Sequence, residues 1–400
     1  MSSVHPREDP LAPPSRFSAA RLFLASEGRL ESAVWRLLCV FAFFVPWSIA
    51  IAEIVLAIAV AAAARHWWLA REAPPRTPLD APILAFLGAS LLAAFVGLDV
   101  GQSLWGLRTY SKIVIVYLVY ARARTPERMA LLLESFLAGS LLPSAHTMFN
   151  AVSPWSLPRL FPGGMTESGN LLFAIGISTT LYLMGIDRRR WLQFGFVLYG
   201  AALAANLKRG AWLGVIATLG VIGSIRSRRL ILATALVLAA MVAAVGPVRS
   251  RIENTARDLL LPGNRYDIWT ASVDVIRRFP LGVGRKNGTI LRDYPNIPQR
   301  HKHAHNNVLQ IAMENGLLGL GAFLWWMGAF ARLSWRLWRR LPEEQVIARA
   351  TAIACFSTFV GFHVAGLVEY NFGDSEVVQM LFVMMGLGLV ANDYGNGRTV

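Results

Sequence analysis

Residues 301–321 read HKHAHNNVLQIAMENGLLGLG, and how they are read decides what kind of chain this is. Three histidines alternate across five positions, although the whole chain has only seven. An apolar helical pattern follows at once through Val308, Leu309, Ile311, Ala312, Leu317 and Leu318. A titratable cluster therefore sits at the mouth of a hydrophobic helix. The rest of the chain explains why: it is 55% hydrophobic and 16% charged over 400 residues, with a mean hydropathy of +0.46. Such a composition belongs to an integral membrane protein.

Apolar blocks occur near 33–49, 51–68, 80–97, 106–121, 129–149, 168–186, 191–206, 210–225, 229–247, 312–333, 346–368 and 376–392. A span needs roughly 20 mostly apolar residues, so the expectation is an all-α, polytopic transmembrane bundle of about 12 spans. The first two blocks meet tightly between Pro46 and Ala52. Residues 1–32 lack the apolar core and cleavage site of a signal peptide and read as a short cytoplasmic tail. Residues 33–247 hold helices 1–9, residues 248–311 a large outer loop with short helices, residues 312–392 helices 10–12, and residues 393–400 a second cytoplasmic tail. Cys39 and Cys355 fall inside apolar blocks and read as buried thiols.

The net charge of +15 would suggest nucleic acid in a soluble protein. Here the position of the charges matters, and no nucleic-acid partner is expected. With the N-terminus inside, the connections Arg65–Arg76, Arg122–Arg128, Asp187–Arg190, Arg226–Arg229 and Arg332–Arg340 each carry at least two arginines. The opposite turns LDVGQ (98–102) and EYNFGDSE (369–376) have acids and no Lys or Arg. This satisfies the positive-inside rule and puts both termini in the cytoplasm.

Two places break the rule. One is Lys208–Arg209 in NLKRGAW, a very short outer turn. The other is the loop from Arg249 to Lys302, which has eleven Lys/Arg against five acids, net +6. Long loops translocate largely regardless of charge, but that does not account for the short turn. An anionic ligand on this face accounts for both. Arg108 and Lys112 lie four residues apart near the outer end of the fourth span and are expected on one helical face. They are either a snorkelling pair or ligand contacts.

Within the outer loop, RYDIWTASVDVIRRFP (265–280) has a helical apolar stripe, with Asn264 as N-cap and Pro280 as terminator. The glycines of LGVGRKNG (281–288) are not a nucleotide loop, because no strand precedes them. His301, His303 and His305 share one side if extended, but cysteine is absent there and acids are sparse, so no metal and no cofactor is expected. His305 falls in the first turn or N-cap region of the tenth span, where the helix dipole favours neutral imidazole. It is either a general base or a group satisfying the helix terminus. Arg209 and Arg265 are guanidinium forks suited to a diphosphate and to its charge as a leaving group.

These residues resemble a known family. HNNVLQIAMENGLLG (305–319) is similar to the His-Asn, nine residues, Gly-x-x-Gly signature of bacterial O-antigen ligases and their polymerase relatives. KRGAWLG (208–214) resembles the arginine-bearing turn of that family, and NRYDIW (264–269) its second arginine motif. The resemblance implies a glycosyltransferase of the bacterial inner membrane with a periplasmic active site in the loop before the signature. It implies en bloc transfer of a glycan from undecaprenyl diphosphate to a hydroxyl of lipid A–core, inverting and without metal. By that resemblance His305 is the base, and Arg209 and Arg265, with Lys208, bind the diphosphate. Arg108, Lys112 and Asp374 are further substrate-binding candidates. An O-antigen polymerase or a protein O-oligosaccharyltransferase of the same superfamily is the alternative. A lipid-linked sugar transporter is a more distant one, since neither inverted repeats nor midspan charges are evident.

Overall fold

A computed structural model describes residues 29–158, 160–161, 163–186 and 190–396. The tail expected at 1–32 and the connection at 187–190 therefore lie almost wholly outside the described residues. Among the described residues the chain is helical without strands. In order it forms α1 (Arg29–Phe44), α2 (Ile49–Ala70), α3 (Asp80–Val96), α4 (Val100–Leu107), α5 (Val114–Arg122), α6 (Pro126–Val152), α7 (Met165–Leu183), α8 (Arg190–Asn206), α9 (Arg209–Arg226) and α10 (Arg228–Ala244). Three short helices follow, α11 (Gly246–Glu253), α12 (Thr255–Leu260) and α13 (Arg265–Arg278). The chain then completes α14 (Asn307–Arg340), α15 (Val346–Ala365) and α16 (Ser375–Gly395).

Helix occupies every one of the twelve apolar blocks, but not every helix qualifies as a span. Among the described residues, five are long and apolar enough to cross a membrane: α2, α6, α14, α15 and α16. The pair α10–α11 makes a sixth if a 98° bend is counted within one span. The physical reason for the shortfall is visible in α7. Its buried residues include Ser168, Asn170, Ser178, Thr179 and Thr180. A helix that touches other helices rather than lipid has no need of a fully apolar surface, and small polar residues let it pack closely.

The turns expected on one side of the membrane do come together at one end of the bundle. Thr166 donates to Asp374 at 2.6 Å, the Leu98 N–H to the Val283 carbonyl at 3.0 Å, and Arg209 to Asp258 at 2.8 Å. At the other end Arg122 pairs with Glu31 at 3.0 Å, and Tyr394 donates to the Arg124 carbonyl at 2.7 Å. The core between them includes fully buried Phe86, Phe173, Phe323, Trp326, Phe330 and Phe382.

The fourth apolar block departs from expectation. Residues Arg108–Ile113 are 3-10 helix between α4 and α5. At three residues per turn, positions four apart are turned by about 120° rather than aligned. Arg108 is accordingly exposed and stacks on Trp105 at 3.7 Å. Lys112 is buried, 2.8 Å from Glu53 of α2, and donates to Ser375. The shared face expected for this pair does not exist.

α14 is broken. Gly316 has φ 71° and ψ −178°, splitting the element after Asn315. The segment 280–284 fills the break: the Val283 and Gly284 N–H groups donate to the Met313 and Glu314 carbonyls at 2.9 and 3.0 Å, and the Leu317 N–H donates to the Pro280 carbonyl at 2.8 Å. The orphaned helix groups are thus satisfied by another strand of backbone. Only glycine fits, because a Cβ at Gly316 would lie 2.4 Å from the Leu281 carbonyl carbon. The side chain of Glu314 completes the joint, accepting from the Lys286 N–H at 2.9 Å and from buried Arg285.

Candidate active site

The residues HNN just before α14 are placed by their amides. Asn306 is the N-cap, accepting from the Leu309 N–H at 3.0 Å, and it donates to the Leu367 carbonyl at 2.7 Å. The Asn307 N–H donates to the Gly366 carbonyl at 2.7 Å, and its side-chain oxygen accepts from the Phe372 N–H at 3.0 Å. The start of α14 is thereby tied to the turn after α15. His305 stands one residue outside the cap, in the left-handed region with φ 50°. That conformation is uncommon for a non-glycine residue and clusters at functional sites.

This tie sets His305 beside Glu369. The imidazole Nδ1 is 3.4 Å from the Glu369 Oε2 and has no hydrogen-bond partner among the described residues. The contact is electrostatic. Nε2 is 3.4 Å from His301 Nδ1. The His303 ring packs against that of His305 with centroids 4.1 Å apart. Burial, then the neighbouring His305, push His303 down to about 4. Burial and His305 lower His301 as well. Among the described residues no three His, Cys, Asp or Glu side chains are arranged to hold a metal ion.

Arg265, the first residue of α13, reaches the same carboxylate, with Nη2 3.3 Å from both Glu369 oxygens. Burial lowers the Arg265 pKa, and Glu369 partly offsets this. Asn264 caps α13 as expected. Arg209, the first residue of α9, donates to Asp258 at 2.8 Å and to Thr255 at 3.1 Å. Gly210 lets Glu369 approach, since a Cβ there would lie 2.6 Å from the Glu369 Cγ. Lys208, Arg209, Arg251, Arg265, Trp269 and Glu369 are among the residues lining one cleft of about 210 Å³. The starts of α9 and α13 thus bring cations and an acid to one cleft, and His305 stands behind that acid, approaching the same Glu369 carboxylate as Arg265.

The other candidates lie elsewhere. Asp374 caps α16 and accepts from Thr166 of α7. Lys112 is engaged by Glu53 and Ser375, and Arg108 by Trp105. Two groups were not singled out by the sequence. Glu369 was legible only as one acid of an outer turn. Arg285 was passed over with its glycines, yet it is a buried cation joining Glu314 and Tyr370. Burial opposes its charge, but Glu314 and then Tyr110 and Tyr370 hold it above the ordinary arginine value. Tyr370 in turn faces His303 at 5.7 Å.

The helical fold, the several apolar helices and a charged cleft at one end of the bundle define a multi-pass membrane protein with a polar site at its helix termini. Residues 194–324 match the family model described as O-Antigen ligase, which supports placing the chain in the O-antigen ligase superfamily of membrane enzymes. The matched stretch contains Arg209, Arg265, Arg285 and His305 and ends before Glu369. No curated protein matches the chain.

Proposed function

We propose that the protein is a lipopolysaccharide O-antigen ligase, moving a glycan en bloc from undecaprenyl diphosphate to a hydroxyl of lipid A–core. In this reading it lies in the bacterial inner membrane with about twelve crossings, both termini cytoplasmic and the cleft in the periplasm. The observation that carries it is one carboxylate, Glu369, touching both His305 and Arg265 in a cleft that also holds Arg209. Arg209 and Arg265, with Lys208 nearby, bind the diphosphate and neutralise it as it leaves. His305 takes the proton of the acceptor hydroxyl, whose oxygen forms the new bond to the anomeric carbon. The bond from that carbon to the diphosphate oxygen breaks on the opposite face, so configuration inverts. Glu369 stabilises the imidazolium that results. No step draws on a metal or a cofactor.

The test is transfer by purified protein from undecaprenyl-diphosphate-linked glycan to lipid A–core lacking O-antigen, with a chelator present. His305→Ala is expected to lose about 10² to 10⁴ in rate. Arg265→Lys should recover only part of the wild-type rate, because an ammonium cannot reproduce the fork. Transfer by His305→Ala near the wild-type rate would sink the base assignment. Lengthening of the donor without labelled lipid A–core would make the protein a polymerase instead.

A further inference from the structure

Between α10 and α13 the chain forms a shelf that the reaction described above does not use. The 98° bend between α10 and α11 turns α11 along the membrane surface if α10 crosses it. α10 buries none of its residues, and Val245, Ile252, Leu260 and Leu261 on the shelf are exposed apolar groups. This is the pattern of a segment lying at a lipid interface. Its polar side is basic. Ser250, Arg251, Asn254, Arg257, Asp258 and Leu261 line an open groove of about 440 Å³.

The arginines of this region have different duties. Arg249 folds back and donates to the Val242 and Ala243 carbonyls, capping α10. Arg251 reaches Asp258 only at 3.8 Å. Arg257 is exposed in the groove and has no ion-pair partner among the described residues. Arg251 and Asp258 also line the cleft of Arg209 and Arg265, so the two cavities share a wall. Asp258 lies 2.8 Å from Arg209 on one side and 3.8 Å from Arg251 on the other.

We propose that Arg251 and Arg257, with Asn254 and Ser250, form a second diphosphate-binding site that captures the headgroup of the polyprenyl diphosphate at the membrane surface before it reaches Arg209 and Arg265. The inference rests on the ligase reading for the identity of the lipid. A lipid donor keeps its tail in the bilayer, so its headgroup meets the protein at interface depth, where this groove lies. Two guanidinium forks, an amide and a hydroxyl match the acceptor oxygens of a diphosphate. Asp258 times the passage. Arg209 holds it while the headgroup is on the shelf, and it shifts to Arg251 when the headgroup takes its place on Arg209.

The experiment follows binding of undecaprenyl diphosphate without sugar to the full-length protein in phosphatidylcholine nanodiscs. Stopped-flow tryptophan fluorescence provides the signal, since Trp269 lines the receiving cleft. Arg257→Gln and the double variant Arg251→Gln/Arg257→Gln should slow association roughly tenfold and flatten its dependence on salt, and should slow dissociation in proportion, because the headgroup has left the shelf in the final complex. Arg209→Gln/Arg265→Gln should instead speed dissociation. Competition by inorganic pyrophosphate would support recognition of the headgroup itself. Wild-type association rates in both shelf variants would overturn the proposal. So would phosphatidylglycerol competing as well as the diphosphate lipid, which would make the shelf a general anionic-surface contact. If the wild type transfers glycan while the shelf variants associate normally, only this inference fails. If the wild type neither binds the lipid nor transfers glycan, the ligase reading fails with it.

Discussion

His305 combines a left-handed backbone, two flanking imidazoles and one carboxylate. Burial disfavours charge at His303, and His305 and then Arg265 add to that against the pull of Glu369, which is why its proton is held so weakly. The sign of the linkage follows. With an ordinary value of 6.5 and a folded value of about 4, the unfolded chain binds more protons than the folded one between those limits. Stability is therefore lost as pH falls from 6.5 towards 4. His303→Asn should flatten thermal stability across that window; an unchanged slope would mean that His303 does not contribute to it. Glu369→Gln keeps the shape and removes the charge that faces both His305 and Arg265. We expect kcat to fall about 10²-fold or more, judged from other histidine–carboxylate pairs. His305, Arg209 and Arg265 were legible as candidates because polar groups stand out in an apolar chain; the two arginines open helices, and His305 lies just before the cap of one. Glu369 was not, because its meaning comes from a contact made across 64 positions of sequence.

The elements that carry these groups are joined by backbone as much as by side chains. Gly316→Ala would force a Cβ against Leu281 at a positive φ, at a cost of about 1–3 kcal/mol for the backbone alone. The expected result is a lower melting temperature together with weakened transfer. Arg285→Met leaves Glu314 buried without its cation and should cost about 3–5 kcal/mol. Adding Glu314→Leu should recover much of that loss, and a double variant no more stable than Arg285→Met would argue against the pair. The glycine-rich stretch LGVGRKNG (281–288) folds as turns that run into a short 3-10 helix. That the turn fills a break in α14 was not legible, since nothing local distinguishes Gly316 from a packing glycine. The 3-10 stretch at Arg108–Ile113 shows the opposite problem. Its residues are ordinary helix formers, so the reading of one face at Arg108 and Lys112 assumed the wrong period.

Over the whole molecule, hydropathy located the helices well and judged their lengths less well. In a helix such as α7 the buried face includes Ser, Thr and Gly that pack against neighbours, so its sequence is less apolar than that of the helices long and apolar enough to cross a membrane. The crossing count and the side of each turn can be tested with cysteines, because Cys39 and Cys355 are both buried and give little background. Pro74→Cys is expected to react only from the cytoplasm and Trp155→Cys only from the periplasm, both positions being exposed. Reaction of both from one side would overturn the topology. The same buried thiols agree with the sequence, where each cysteine lay within an apolar block.

The break in α14 makes the segment from Asn306 to Gly316 a ruler. One end is pinned by Asn306 and Asn307 to the turn after α15, and the other by the Gly316 joint to residues 280–284. A helix turns by about 100° per residue, so the number of residues between these pins sets the direction in which Glu314 points. One residue added at Ala312 would turn Glu314 away from Arg285 while leaving every named side chain present. The same insertion at Gly328, beyond the joint, would leave that spacing untouched. In this chain the distance between two motifs carries as much information as the motifs themselves.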